Sequence, residues 1–190
     1  MTVRVIGLRW IRRLLFTGGV SLTAYCAFVA VDTWIFQKDE RRQFESLLAD
    51  RALATSPPVA APGVIGLLDV PRLGISVMVV EGAGTATLRR AAGHIPGTAL
   101  PGEPGNAAIS AHRDTFFRPL RNIRQNDVIT VSTLAGEYRY RVVSTRIVSP
   151  ADIEVLDPTD TQILTLVTCY PFYFVGSAPD RFIVRAQRVT

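Results

Sequence analysis

The sequence predicts an all-β domain with minor helices, a closed or nearly closed barrel of about eight short strands, behind a single N-terminal transmembrane helix. Three observations lead there. From Val64 onward the chain breaks into short alternating or apolar runs separated by Gly- and Pro-containing turns. Little of that region has helical periodicity. Upstream, Leu14 to Val31 is mostly apolar and carries no charge, with Arg12-Arg13 before it and Asp32 after it, and about 18–20 such residues span a hydrocarbon core.

Residues 1–13 read as a basic tail and 14–34 as a transmembrane anchor, with Trp34 as an interfacial aromatic. Arginines ahead of the span predict an N-terminus inside and the remainder outside. A cleaved signal peptide is the rival reading, since Ala24 to Ala30 offers small residues; the apolar run is longer than the usual h-region. Residues 35–63 read as an amphipathic juxtamembrane helix, with Phe44, Leu47, Leu48 and Leu53 on one face, followed by a Pro-rich linker from Ser56 to Gly63. The barrel is expected over 64–190.

Within it, Val64 to Val70 and Ile75 to Val80 read as a hairpin around Pro71-Arg72-Leu73-Gly74. Thr85 to Ala92 reads as a short helix, and Gly93 to Gly105 as a long Gly/Pro loop. Further strands are expected at Asn106–Ala111, Asp127–Val131, Tyr138–Val148, Ile163–Thr168 and Phe182–Ala186. A helical turn is expected at Phe116–Ile123 and an acidic loop at Asp152–Asp160.

The net charge of +5 does not point to nucleic acid. Setting aside Arg4, Arg9, Arg12 and Arg13 leaves 17 basic against 16 acidic residues, so the excess is a local tail. The two cysteines are Cys26, inside the apolar run, and Cys169. A disulfide between them would reach into the bilayer, so Cys169 is expected to be a lone thiol. In an exported domain such a thiol points to reactivity.

Cys169 ends the apolar run Ile163–Thr168, and Tyr170-Pro171 then turns the chain out. A free cysteine is more often a small buried hydrophobe; this one sits at a strand end, both held and reachable. The thiolate is the attacking form, so a base or cation is needed nearby. Of the two histidines, His112 closes a small-residue strand and is the better base, while His94 reads as structural, its ring satisfied by loop carbonyls. Asp114 could orient an imidazole or cap the following turn, capping being the commoner role. Arg181 and Arg185 share a strand face. Plain solvent exposure is one reading of that face; the sharper one puts Arg181, at the strand's opening, beside the thiol as an oxyanion or backbone donor.

The runs ILTLVTC (Ile163–Cys169) and NAAISAHRDTFF (Asn106–Phe117), with the arginine after Pro179-Asp180, resemble the sortase family of membrane-bound cysteine transpeptidases. The resemblance covers about residues 64–188. Gly93 to Thr98 and His112 to Thr115 resemble the shorter class D-type branch more than the branch with pilin-polymerising lids. Ala111 stands where many relatives have glycine.

The resemblance implies a sortase-like barrel with Cys169 as nucleophile, His112 as acid/base and Arg181 as substrate and oxyanion donor. Thr168, Ala111 and Tyr170 would line the substrate pocket, and the aromatic loop after Cys169 would wall it. It further implies cleavage of an LPxTG-like C-terminal sorting signal through a thioacyl-enzyme. The acyl group would pass to an amine, from a peptidoglycan precursor or a pilin lysine, at the outer face of the cytoplasmic membrane. No cofactor, metal or nucleic acid partner is expected; the acidic residues of 152–160 lack EF-hand spacing. Two alternatives stand beside this. An L,D-transpeptidase would carry a Ser-His-Gly-Cys signature, absent here because Thr168 precedes Cys169. A non-catalytic tethered barrel would function without its thiol.

Overall fold

The computed structural model describes residues 2–53 and 63–189. The expected linker residues Ser56–Pro62 lie outside the described residues. Helix α1 spans Thr2–Leu53. The chain forms two compact units, Met1–Phe36 and Gln37–Thr190.

In the first unit, Trp10, Leu14, Leu15, Phe16, Leu22 and Phe28 are all exposed. The most apolar 18-residue window has a mean hydropathy of 1.8. It is the one helix among the described residues long and apolar enough to cross a membrane.

The second unit opens with the end of α1 lying on the barrel. Phe44 is 2% exposed. The Gln37 side chain donates to the Arg90 carbonyl (2.6 Å) and accepts from the Met78 amide (3.0 Å), and Arg41 donates to Ser76 Oγ. Of the apolar residues expected on this segment's face, Phe44 is thus buried within the second unit, and Leu47 and Leu48 are partly buried.

The strands are β1 (Val64–Val70), β2 (Ile75–Glu81), β3 (Ala92–His94), β4 (Asn106–Ser110), β5 (Val128–Thr133), β6 (Gly136–Val148), β7 (Ile163–Tyr170) and β8 (Asp180–Val189). They close into a barrel in the order β1-β2-β3-β4-β7-β8-β6-β5. Neighbours are antiparallel except β2/β3 and β4/β7. Helix α2 covers only Thr85–Leu88, and 3₁₀ turns lie at 71–73, 118–122 and 153–156.

Side chains alternate across the wall, as the period of 2 requires. Leu68, Val70, Val77, Val79, Ile109, Val131, Leu164, Leu166 and Val184 fill the interior. Tyr140 is also buried; its hydroxyl accepts from the Gly102 amide (2.8 Å), and burial pushes its phenol above the ordinary range. A small second cluster, Val148, Val155 and Ile183 with Leu156 and Val167, lies on the outer surface under the β6–β7 connection.

The sequence reading placed Gly93 and His94 in a loop; the structure makes them strand β3. Three residues, Ala-Gly-His, offer no β-branched side chain to signal a strand. Gly93 is needed there: a Cβ would come within 2.3 Å of the Gly82 carbonyl oxygen. His94 is 3% exposed, with Nδ1 2.8 Å from Glu81 Oε2 and Nε2 2.9 Å from the Ala99 carbonyl oxygen. Both ring nitrogens are thus engaged, as a structural histidine requires.

Candidate active site

Strand pairing brings the distant residues together. Because β4 and β7 are parallel, both leave the barrel at the same rim; β8 is antiparallel to β7 and enters there. Cys169 and Arg181 are direct cross-strand partners. Across the other edge of β7, Ser110 pairs with Val167, and the Ala111 amide extends the ladder by donating to the Val167 carbonyl (3.2 Å). The β4–β7 pairing ends there, and His112 follows two residues after Ser110, at the rim that also carries Cys169.

Parity then decides which side chains share the site. Leu164 and Leu166 point into the core, and Val167 joins the outer cluster with Ile183. Cys169, two residues past Val167, is on the outer face with Arg181, two residues before Ile183. Cys169, His112 and Arg181 are each partly exposed. Cys169 is a free thiol.

Thr168, Ala111 and Tyr170, expected to line the pocket, lie on the opposite side of the wall. Thr168 is 2% exposed and donates to the Ala111 carbonyl (2.8 Å), a bond that ties the β7 end to the β4 end. Ala111 belongs to the core cluster. Tyr170 stacks on Phe182 (ring centroids 6.3 Å apart) and meets Phe172 edge-on (6.1 Å). These three brace the strand ends; the side chains next in sequence to the thiol are one pleat away from it. Asp114 is exposed, and the following 3₁₀ turn has no side-chain cap.

The connections beside the site are anchored. The Asn106 side chain donates to the carbonyls of Val155 (3.0 Å) and Asp157 (3.2 Å) and accepts from Thr165 Oγ1 (2.6 Å), fixing the β6–β7 connection to β4. Arg181 Nη1 donates to the carbonyls of Asp180 (2.9 Å) and Ala178 (3.3 Å), orienting its guanidinium at the start of β8. Arg113, which the sequence reading did not single out, donates from Nη2 to the carbonyls of Phe174 (2.7 Å) and Gly176 (3.0 Å). No spacing pattern signals that contact, because its partners are backbone atoms about sixty residues downstream.

A half-buried thiol, an arginine opposite it and a histidine two residues past the end of the neighbouring strand, at the same rim, make an arrangement suited to acyl transfer. The family model for the sortase domain matches residues 68–189. The chain belongs to the sortase family. Sortases are cysteine transpeptidases, and the chain is one by membership. It is 29% identical to Sortase D of Bacillus subtilis over 193 aligned positions, covering 90% of this chain and 94% of that protein. Among solved structures it is similar to a Clostridium perfringens sortase D5 transpeptidase (TM-score 0.69, 27% identity, 82% of this chain and 99% of that one). It is also similar to sortase C1 of Streptococcus agalactiae (TM-score 0.64, 29% identity, 72% of each chain). The class D resemblance read from the sequence agrees with the first two. The closed eight-stranded barrel is the sortase fold.

Proposed function

We propose that this sortase cleaves an LPxTG-like C-terminal sorting signal and transfers the acyl fragment to an amine of the cell envelope, with Cys169, His112 and Arg181 as its catalytic residues. The Cys169 thiol passes its proton to His112, and the thiolate sulfur attacks the carbonyl carbon of the scissile bond. Arg181 donates to the oxygen that becomes negative, its fork suited to a developing oxyanion. His112 gives a proton to the leaving nitrogen as the C–N bond breaks, leaving a thioester. The incoming amine then attacks the thioester and passes a proton to His112, and the sulfur leaves as a thiolate that takes the proton back from His112. No redox step or cofactor is needed to balance the sequence. The single observation that supports this reading is the strand register, with Cys169 opposite Arg181 and β4 paired to β7 up to Ser110, two residues before His112.

The apolar span at 14–34 would hold the enzyme at the outer face of the cytoplasmic membrane, with the basic tail inside. A membrane-held substrate and a precursor amine meet at that face. The acceptor is a peptidoglycan precursor amine or a pilin lysine. The test is cleavage and transfer with a library of Leu-Pro-x-Thr-x peptides, with and without amines, alongside capture of a signal-bearing peptide aldehyde. Cys169→Ala is expected to abolish both turnover and capture, a loss on the order of a thousandfold or more. Turnover that survives Cys169→Ala rejects the thiol as nucleophile.

A further inference from the structure

The β7–β8 loop, residues 171–179, carries an apolar tip: Tyr173, Phe174 and Val175 are 76%, 46% and 95% exposed. Side chains that face solvent give a loop little packing to define its path. Phe172 packs on the core, and the Arg121 guanidinium carbon lies 5.4 Å from the Tyr173 ring centroid; the tip's backbone is held by charge-assisted bonds. Arg181 takes one carbonyl at the loop's own end, Ala178, and one from Asp180, the first residue of β8. Arg113 takes two more from across the barrel rim, at Phe174 and Gly176, and its guanidinium carbon lies 5.9 Å from the Phe174 ring centroid. Arg113 directly follows His112. The same side chain therefore links the loop after the thiol to the strand end that carries the acid/base candidate. Its remaining terminal nitrogen, Nη1, is buried without a partner. A guanidinium cannot shed its proton to escape that state, and an unpaired buried donor is expensive until an acceptor arrives.

We propose that Arg113 is a positioning residue for the acyl-donor peptide: it ties the β7–β8 loop to the His112 strand end, and its unpartnered Nη1 donates to a carbonyl oxygen of the bound peptide. This rests on the reading of the site as a sorting-signal transpeptidase. Two carbonyls on Nη2 and a third acceptor on Nη1 need donors on two separate nitrogens, which lysine's single ammonium lacks. The arginine thus belongs to peptide binding, distinct from the charge-stabilising arginine opposite the thiol.

The test uses the full chain in detergent, wild type beside Arg113→Lys and Arg113→Gln. A fluorophore–quencher peptide bearing a Leu-Pro-x-Thr-Gly signal serves as substrate. In both variants the amides of 174–177 are expected to exchange hydrogen about tenfold faster or more, with β4 and β7 unchanged. KM should rise by about tenfold or more while kcat stays within about threefold. Saturating peptide should slow loop exchange in the wild type and not in the variants. Unchanged exchange overturns the proposal. So does faster exchange with unchanged KM, which would leave a structural tie with water on Nη1. So does a fall confined to kcat. Absence of turnover in the wild type sinks the transpeptidase reading instead, and the exchange rates still decide whether the tie exists.

Discussion

The inner and outer faces of β4, β7 and β8 differ by one step along the chain and by everything in chemistry. Inside, Ala107, Ile109, Leu164, Leu166, Val184 and Ala186 interlock at or near zero exposure. Outside, the same strands carry Asn106, Thr165, Arg185, Cys169 and Arg181, several of them bound to connecting segments. The inner face fixes where the strands lie. The outer face uses that fixed frame to hold reactive groups at a rim, which is the division that catalysis requires. Thr168 and Cys169 show the contrast at its sharpest: adjacent residues, one a buried strut and the other the proposed nucleophile.

The two histidines give the most forceful test of that contrast. His112→Gln is expected to lower turnover by about 10²–10⁴-fold, the usual range for a general acid/base, with little change in melting temperature. His94→Gln should do the reverse, costing about 1–3 kcal/mol in denaturant unfolding and leaving kcat/KM per folded molecule nearly intact. Equal losses of activity from both would erase the distinction. Next in size is Arg181→Lys, expected to cut kcat by about 10²-fold because a point charge cannot replace the fork. Arg185→Lys, opposite Thr165 on the same face, should change it little. Near-normal turnover of Arg181→Lys would remove that residue from the mechanism.

A subtler probe sits on the inner side. Thr168→Val keeps the shape and deletes the bond to the Ala111 carbonyl, at a cost of about 1 kcal/mol in stability. Because that bond sets β4 against β7, kcat should fall while peptide KM holds. The smallest expected effect lies away from the site. Arg72 pairs with Asp127 through both carboxylate oxygens and holds that carboxyl below its usual range. A depressed carboxylate contributes stability that is present above the unfolded value of about 3.9 and is lost as pH falls through the lower folded value. Asp127→Asn should therefore flatten the acid limb of a stability–pH profile and leave the neutral pH activity unaltered.

Much of the barrel was legible because its strands obey a period of 2 and its turns are marked by Gly and Pro. The hairpin of Val64–Val70 and Ile75–Glu81 is the clearest case. Strand β3 was not, since Ala92-Gly93-His94 is chosen for close backbone approach, a demand visible only once the Gly82 carbonyl is in place. In the site, the thiol, the imidazole and the guanidinium could each be nominated from position at a strand end. That Cys169 faces Arg181 depends on register, which no local pattern states. Thr168 and Tyr170 were drawn into the pocket by nearness in sequence; the same alternation that found the strands places them on the far side. Arg113 was invisible because the atoms it binds are common to every residue.

The parallel pairing of β4 with β7 has a temporal consequence. Thr168 and Ala111 are 57 positions apart, and no short hairpin can join strands that run the same way. Arg181 comes opposite the sulfur with the β7–β8 hairpin alone, whereas the His112 strand end reaches that rim only when β4 pairs with β7. A chain in which β4 has not reached β7 holds its thiol beside the guanidinium alone, so one long-range pairing completes the proposed trio.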